Sequence, residues 1–345
     1  MAAKEVTFFD AEFRLRKIDK IGDPLKELDT FIDWEYFRPT LKKAFANNEP
    51  VKGPGGRPPY DYILRFKLLV LQRLYNLSDD AMEYQINDRR TFQRFIGLDD
   101  KDSIPDAKTI WAWREMLVRR GAFDKLFDRF WKFLDDAGIE ANTGSIVDAS
   151  FIDKPRQRNS KDDNDTIKEG KIPDEWQKPE NKAMLRQKDT DARWTKKNGE
   201  KHYGYKNHVK VDRETKLIRK SIVTDAAVHD SQALPKLLDK TDEGKPVYAD
   251  SAYSGRDQIA EIEKKKAIPR VNEKGYRNRP LTERQKRRNR RLSKTRARIE
   301  HVFGTMTMSM GGMFIRCVGF IRAEANITFM NLVYNIKRYV VLARG

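Results

Sequence analysis

The chain has 345 residues and 40.4 kDa, enough for two domains. Its single cysteine, Cys317, excludes an intrachain disulfide framework and a multi-cysteine zinc site. No run approaches the roughly 20 apolar residues of a membrane span, and residues 1–6 lack an apolar signal core, so a soluble intracellular protein is expected. The formal net charge is +18, and all of it falls after residue 140: residues 1–140 hold 25 Lys/Arg against 25 Asp/Glu, residues 141–345 hold 45 against 27.

Residues 24–48 carry the pattern of two short helices, with Phe31, Trp34 and Phe37 toward a core. The breaker cluster Lys52-Gly53-Pro54-Gly55-Gly56-Arg57-Pro58-Pro59 reads as a linker. Ile63, Phe66, Leu68, Val70, Leu71 and Leu74 recur at helical intervals, and Ser78 suits the N-cap of a second helix with Ala81, Met82 and Ile86 inside. Asp106 or Ser103 caps a third helix over 109–120, and a fourth over 123–137 ends at Gly138. Residues 60–137 thus form an all-helical module, compatible equally with a helix-turn-helix DNA reader and with plain packing helices.

The texture changes at 144. Residues 145–152 read as a strand, and 154–200 as a long polar insertion poor in apolar residues. Strands follow at 203–212 and 216–225, with Asp212-Arg213-Glu214-Thr215 as the turn between them. A helix over 231–238, a short buried strand at 246–249, a helix over 258–266 and a strand at 267–271 come next. A basic helix is expected over 282–306 and an apolar one over 323–342. The order β-β-β-α-β-α-β-α implies an α/β sheet that begins with an antiparallel hairpin.

Residues 264–298 hold 16 basic and 2 acidic residues. Positive charge this dense seeks a polyanion, and nucleic acid is the usual one; a solvated helix face is the plain alternative. No wide apolar face is interleaved, which disfavours a membrane-surface helix. Against this basic run stand three carboxylates. Asp148 lies inside an apolar strand, Asp250 at the C-terminal end of another, and Glu300 at the edge of the helix face formed by Ile299, Val302, Phe303 and Met306. Converging carboxylates repel, and Mg²⁺ suits them because it prefers hard oxygen ligands and leaves positions for phosphate. Singly, each acid has an ordinary reading: a turn cap for Asp148, an N-cap for Asp250, and an i−4 pair with Arg296 for Glu300. Lys206 and Arg296 are the foremost phosphate contacts, and the four histidines lack the spacing of a zinc site. His229 is a candidate auxiliary group and His301 a DNA contact, while Trp194 suits base stacking or anchoring of the insertion.

Several stretches in order resemble a bacterial insertion-sequence transposase of the DDE type, in the IS-five family. Gly56-Arg57-Pro58-Pro59-Tyr60, Leu77-Ser78-Asp79, Phe95-Ile96-Gly97-Leu98 and Ile104-Pro105-Asp106 look like the family's N-terminal domain. Ile146-Val147-Asp148-Ala149-Ser150 resembles the strand of the first acid. His202-Tyr203-Gly204-Tyr205-Lys206-Asn207-His208 is similar to the second strand, and His229-Asp230-Ser231 to the turn before its helix. Tyr248-Ala249-Asp250-Ser251-Ala252-Tyr253 resembles the second acid motif, and Arg296-Ala297-Arg298-Ile299-Glu300-His301-Val302-Phe303-Gly304 the helix of the third. Related enzymes often carry Tyr, Arg, Glu and Lys around that acid; here the positions read Ser293, Arg296, Glu300 and Thr307.

The resemblance implies a ribonuclease-H-like mixed sheet with flanking helices in residues 141–345, preceded by an all-helical DNA-binding or dimerisation domain in 1–140. It implies Asp148, Asp250 and Glu300 as catalytic ligands of two Mg²⁺ ions, with Mn²⁺ as a substitute. It implies cleavage of double-stranded DNA at terminal inverted repeats and joining of the 3′ ends to target DNA, by a homodimer or higher synaptic assembly in the bacterial cytoplasm, at the nucleoid. The DNA contacts would be Lys206, Arg287, Arg288, Arg290, Arg291, Lys294, Arg296, Arg298 and His301. A DNA-binding descendant without activity and a nuclease that does not join are the alternatives.

Overall fold

The computed structural model describes residues 10–46, 59–99, 101–197 and 199–344; residues 1–6 and residues 52–58 of the expected linker lie outside them. The chain divides into two units, Met1–Phe133 with Ile336–Gly345, and Leu134–Asn335.

The first unit is helical. α1 (Asp10–Ile21), α2 (Pro24–Phe31), a 3-10 turn (Trp34–Phe37) and α3 (Arg38–Phe45) precede α4 (Tyr62–Leu74). Side-chain caps set the helix starts: Asp23, Asp61, Ser78 and Asp106 each accept a backbone N–H of the helix that follows. α4 is buried on nearly all sides, and even Arg65 is buried there, its guanidinium 4.9 to 5.5 Å from the ring centres of Phe45, Trp113 and Tyr62. Trp34, Phe37, Phe66 and Phe95 meet edge-on or tilted at 5.0 to 6.3 Å and form the centre of the unit. α5 (Asp79–Asp88), α6 (Arg90–Ile96), α7 (Ala107–Arg119) and α8 (Ala122–Asp136) complete it before the last turns of the chain return. The four residues between α4 and α5 match a helix-turn-helix connection, yet α5 carries Asp79, Asp80, Glu83 and Asp88 and no Lys or Arg. An acidic helix repels phosphate, so α5 is a packing helix.

The second unit is built on a six-stranded mixed sheet. β1 (Ser145–Asp153) lies at its centre. β2 (Arg193–Lys197), β3 (Glu200–Asp212) and β4 (Ile218–Asp225) are antiparallel to their neighbours: β3 pairs β1 on one edge, and β2 and β4 on the other. β5 (Pro246–Ala249) and β6 (Ile268–Val271) run parallel to β1. This is the ribonuclease-H-like sheet expected from the strand order. Alternation puts Val147, Val247 and Ala249 on one face, where they pack with Leu234 and Leu237 of α12 (Leu234–Leu237) and Ile262 of α13 (Arg256–Lys264). α14 (Glu283–Arg296) packs against β5 and α15 (Arg298–Met310) against β1. α16 (Phe320–Ala343) is latched to the sheet by amides: Asn331 and Asn207 exchange hydrogen bonds of 2.8 and 3.1 Å, and Asn335 bonds both backbone groups of Ile218.

Two regions depart from expectation. The polar insertion is ordered into short helices α9 (Lys161–Lys168), α10 (Asp174–Gln177) and α11 (Lys182–Leu185), and its end supplies strand β2. It is pinned by Asp189, fully buried, which pairs with buried Lys154 and accepts from the Tyr205 hydroxyl at 2.9 Å and the Gly319 N–H at 3.2 Å. Gly204, at φ +148, is required here, since a Cβ would collide with the Ile152 carbonyl. The second departure is the basic helix, which turns at Ala297 and continues as α15.

Candidate active site

The last registered pair of β1 and β5 is Ile146 opposite Tyr248. Two residues further along each strand come Asp148 and Asp250, so the parallel register sets the two acids side by side, on the face opposite the Val147 core. Asp148 is mostly buried. Its Oδ1 accepts the Ala149 N–H at 2.8 Å, and its Oδ2 lies 3.9 Å from Arg296 Nε on α14. Burial pushes its carboxyl up to about 6; the Asp250 charge adds to the rise, while the Ala149 N–H, Arg296 and Lys197 oppose it. Asp250 caps a 3-10 turn, Ser251–Tyr253, through Oδ1, which accepts the Ala252 N–H at 2.8 Å. The N-cap reading of Asp250 therefore holds together with its place beside Asp148.

Glu300 is not gathered with this pair. It lies in the first turn of α15, just past the break, and is exposed, while Ile299, Val302 and Met306 occupy the buried side. Among the described residues no three His, Cys, Asp or Glu side chains cluster closely enough to hold a metal ion. Asp148 and Asp250 alone do fit one. They are hard oxygen donors, mutually repelling, and one of them is desolvated so far that its charged form is disfavoured without a cation.

The basic residues separate into exposed and committed ones. Arg287, Arg290, Arg291, Lys294 and His301 are exposed. Arg284, Arg287, Arg288 and Arg291 line a cleft of about 780 Å³ with Glu273 and Gln285; Arg284 was not singled out from the sequence, although it stands one helical turn from Arg287 and Arg288. Arg288 is held by the Val271 carbonyl at 3.1 Å and Glu273 at 3.2 Å, and Arg298 by the Arg213 carbonyl at 2.9 Å. Lys206 is only 7% exposed. Its ammonium donates to the Val228 carbonyl at 2.6 Å and pairs with Asp230 at 2.9 Å. That pairing removes it from the surface where a phosphate contact was expected.

The remaining candidates have local roles. His229 is exposed and caps the turn before α12, its Nδ1 accepting the Ser231 N–H at 3.3 Å. Next to it, buried Asp230 is held below the usual carboxylate range: burial works to raise it, and Lys206, Lys197 and His208 outweigh burial. Trp194 packs on Tyr203 at 4.9 Å within strand β2, which anchors the insertion. Sequence reasoning also passed over Tyr253 as a site residue. Its signal was its position three residues after Asp250, where one tight turn carries the ring back beneath the acids.

Residues 13–116 match a family described as Transposase domain (DUF772). The solved structure titled "Cryo-EM structure of piggyBac transposase synaptic complex with hairpin DNA" is similar over 95% of this chain and 76% of that one, at 12% identity and a TM-score of 0.45. Residues 140–336 match the family described as Transposase DDE domain. That span holds every strand of the sheet, both adjacent aspartates and the whole of α14 and α15, and with more than half of its residues inside the match the chain belongs to the family of DDE-domain transposases.

Proposed function

We propose that the protein cuts DNA at the terminal inverted repeats of an insertion sequence of the IS-five type and joins the freed 3′ ends to target DNA. The observation that carries this reading is the pairing of Asp148 and Asp250 at the ends of adjacent parallel strands, with Arg296 against Asp148. These two acids, with Glu300 as the third, would hold two Mg²⁺ ions, or Mn²⁺ in their place. Ions bound there would activate a water or 3′-hydroxyl and stabilise the leaving oxygen of an in-line displacement. Arg296 holds Asp148 toward its ionised form, as a ligand requires. Exposed Arg284, Arg287, Arg290, Arg291 and Lys294 neutralise the DNA backbone beside the acids, and His301 adds a contact. The helical unit contributes end recognition, and two copies or more bring the two ends together.

The test is incubation with Mg²⁺ and a supercoiled plasmid that carries the coding region with its native flanks. Cleavage and joining at flanking repeats, lost in Glu300→Gln, support the reading. Cutting without joining identifies a nuclease. Binding without cutting, equal in both proteins, identifies a DNA-binding descendant.

A further inference from the structure

Tyr253 is fully buried, and its hydroxyl has no hydrogen-bond partner among the described residues. Most buried hydroxyls are paired, because an unpaired one gives up its bonds to water and gains nothing. The cause is local. Asp250 caps the 3-10 turn, and the Tyr253 N–H returns to the Asp250 carbonyl at 3.2 Å. The turn drives the ring into the core of Val147, Ala249, Leu234 and Ile262. The hydroxyl at the end of that ring comes within electrostatic reach of Asp148, Asp230, Asp250 and Arg296.

A second orphan lies in the same place. Arg296 Nε is buried without a hydrogen-bond partner, 3.9 Å from Asp148 Oδ2, too far for a direct bond. Two unused donors, a phenol and a guanidinium, therefore converge on two carboxylates. Plain packing would have put phenylalanine at 253, since the ring alone fills the core and the hydroxyl serves nothing there.

We infer that Tyr253 is a positioning residue of strand cleavage: its hydroxyl donates a hydrogen bond into the space between Asp148 and Asp250, to a carboxylate oxygen or to water held there, and fixes their orientation. This rests on the reading of Asp148 and Asp250 as the catalytic acids. Burial beside three carboxylates keeps the phenol protonated, so it acts as a donor and not as a base.

The test is Tyr253→Phe in the full chain, with Asp148→Asn alongside. Three quantities are read: the melting temperature without metal, the Mg²⁺ concentration that half-saturates the metal-induced rise in that temperature, and the single-turnover cleavage rate on the plasmid. The expected result for Tyr253→Phe is a melting temperature equal to or above wild type, a half-saturating Mg²⁺ concentration raised at least threefold, and a cleavage rate lowered at least tenfold with DNA affinity unchanged. A wild-type rate and Mg²⁺ response in Tyr253→Phe, with Asp148→Asn inactive, overturns the inference and leaves the reading of the acids standing. A melting temperature several degrees lower also overturns it, because the hydroxyl then has a structural partner. If Asp148→Asn cuts like wild type, the reading of the acids fails and the inference falls with it.

Discussion

His208 is fully buried on β3, with Nε2 bonded to the Thr224 hydroxyl at 2.9 Å and Nδ1 unpartnered among the described residues. Burial pushes its imidazole down to about 4 from 6.5; Lys206 and Lys197 assist, and Asp230 opposes. The unfolded chain therefore takes up the proton first as pH falls. The stability due to neutral His208 is complete above about 6.5 and is lost progressively down to about 4, roughly 3 kcal/mol in all. Urea unfolding at pH 7 and pH 4 should show that loss in wild type and a loss smaller by about this amount in His208→Asn; equal losses would contradict it. The same burial logic marks what was readable at this scale. Asp148 stood out because a carboxylate inside Ile146-Val147-Asp148-Ala149 has no ordinary use, and the parallel register sets it beside Asp250. Lys206 misled because its partner Asp230 is 24 residues away, and nothing local says that the pair is buried. Glu300 was placed at the edge of the buried face, and it falls on the exposed side of that edge.

Elements were legible where their causes are local. Ser78, Asp106 and Thr282 each cap the helix that follows, as their side-chain chemistry dictates. The break at Ala297 was not legible, since no Gly or Pro stands there and the apolar spacing of Ile299, Val302 and Met306 continues the helical pattern. Strand β2 was not legible either: Arg193-Trp194-Thr195-Lys196-Lys197 is polar and becomes a strand only by pairing with β3. The helix α14 carries a testable division of labour. If Arg287 and Arg291 each neutralise one phosphate, replacing either by Ala should reduce the slope of log K against log salt by about 0.9. Arg288→Ala should change that slope less, because its guanidinium is already held by the Val271 carbonyl and Glu273. Fluorescence anisotropy across a salt series reads all three, and unchanged slopes in Arg287→Ala and Arg291→Ala would remove α14 from the DNA surface.

At the scale of the whole molecule, the strand order could be read in advance because each strand carries its own apolar pattern and its own turn. The long-range buried ion pairs could not, since each joins charges that look solvated in sequence. Lys210 is fully buried against Asp239 at 2.8 Å and Asp242 at 2.9 Å, and Ser145 also donates to Asp242. Removing the ammonium leaves two carboxylates uncompensated, so Lys210→Ala should destabilise the catalytic unit by about 3–5 kcal/mol, read by chemical denaturation. A loss below about 1 kcal/mol would mean that water reaches the pair. The fold's functional consequence is that adjacent parallel strands end in two carboxylates, with a third acid one helix turn past a break. The most direct measurement is single-turnover cleavage of flanking-repeat DNA in Mg²⁺ by wild type, Asp148→Asn, Asp250→Asn and Glu300→Gln, with DNA affinity measured in parallel. The expected result is retained binding in all four and a rate lowered by about a thousandfold in each variant, equivalent to about 4 kcal/mol of barrier. Cleavage near the wild-type rate in Asp148→Asn or Asp250→Asn would contradict the assignment of the site.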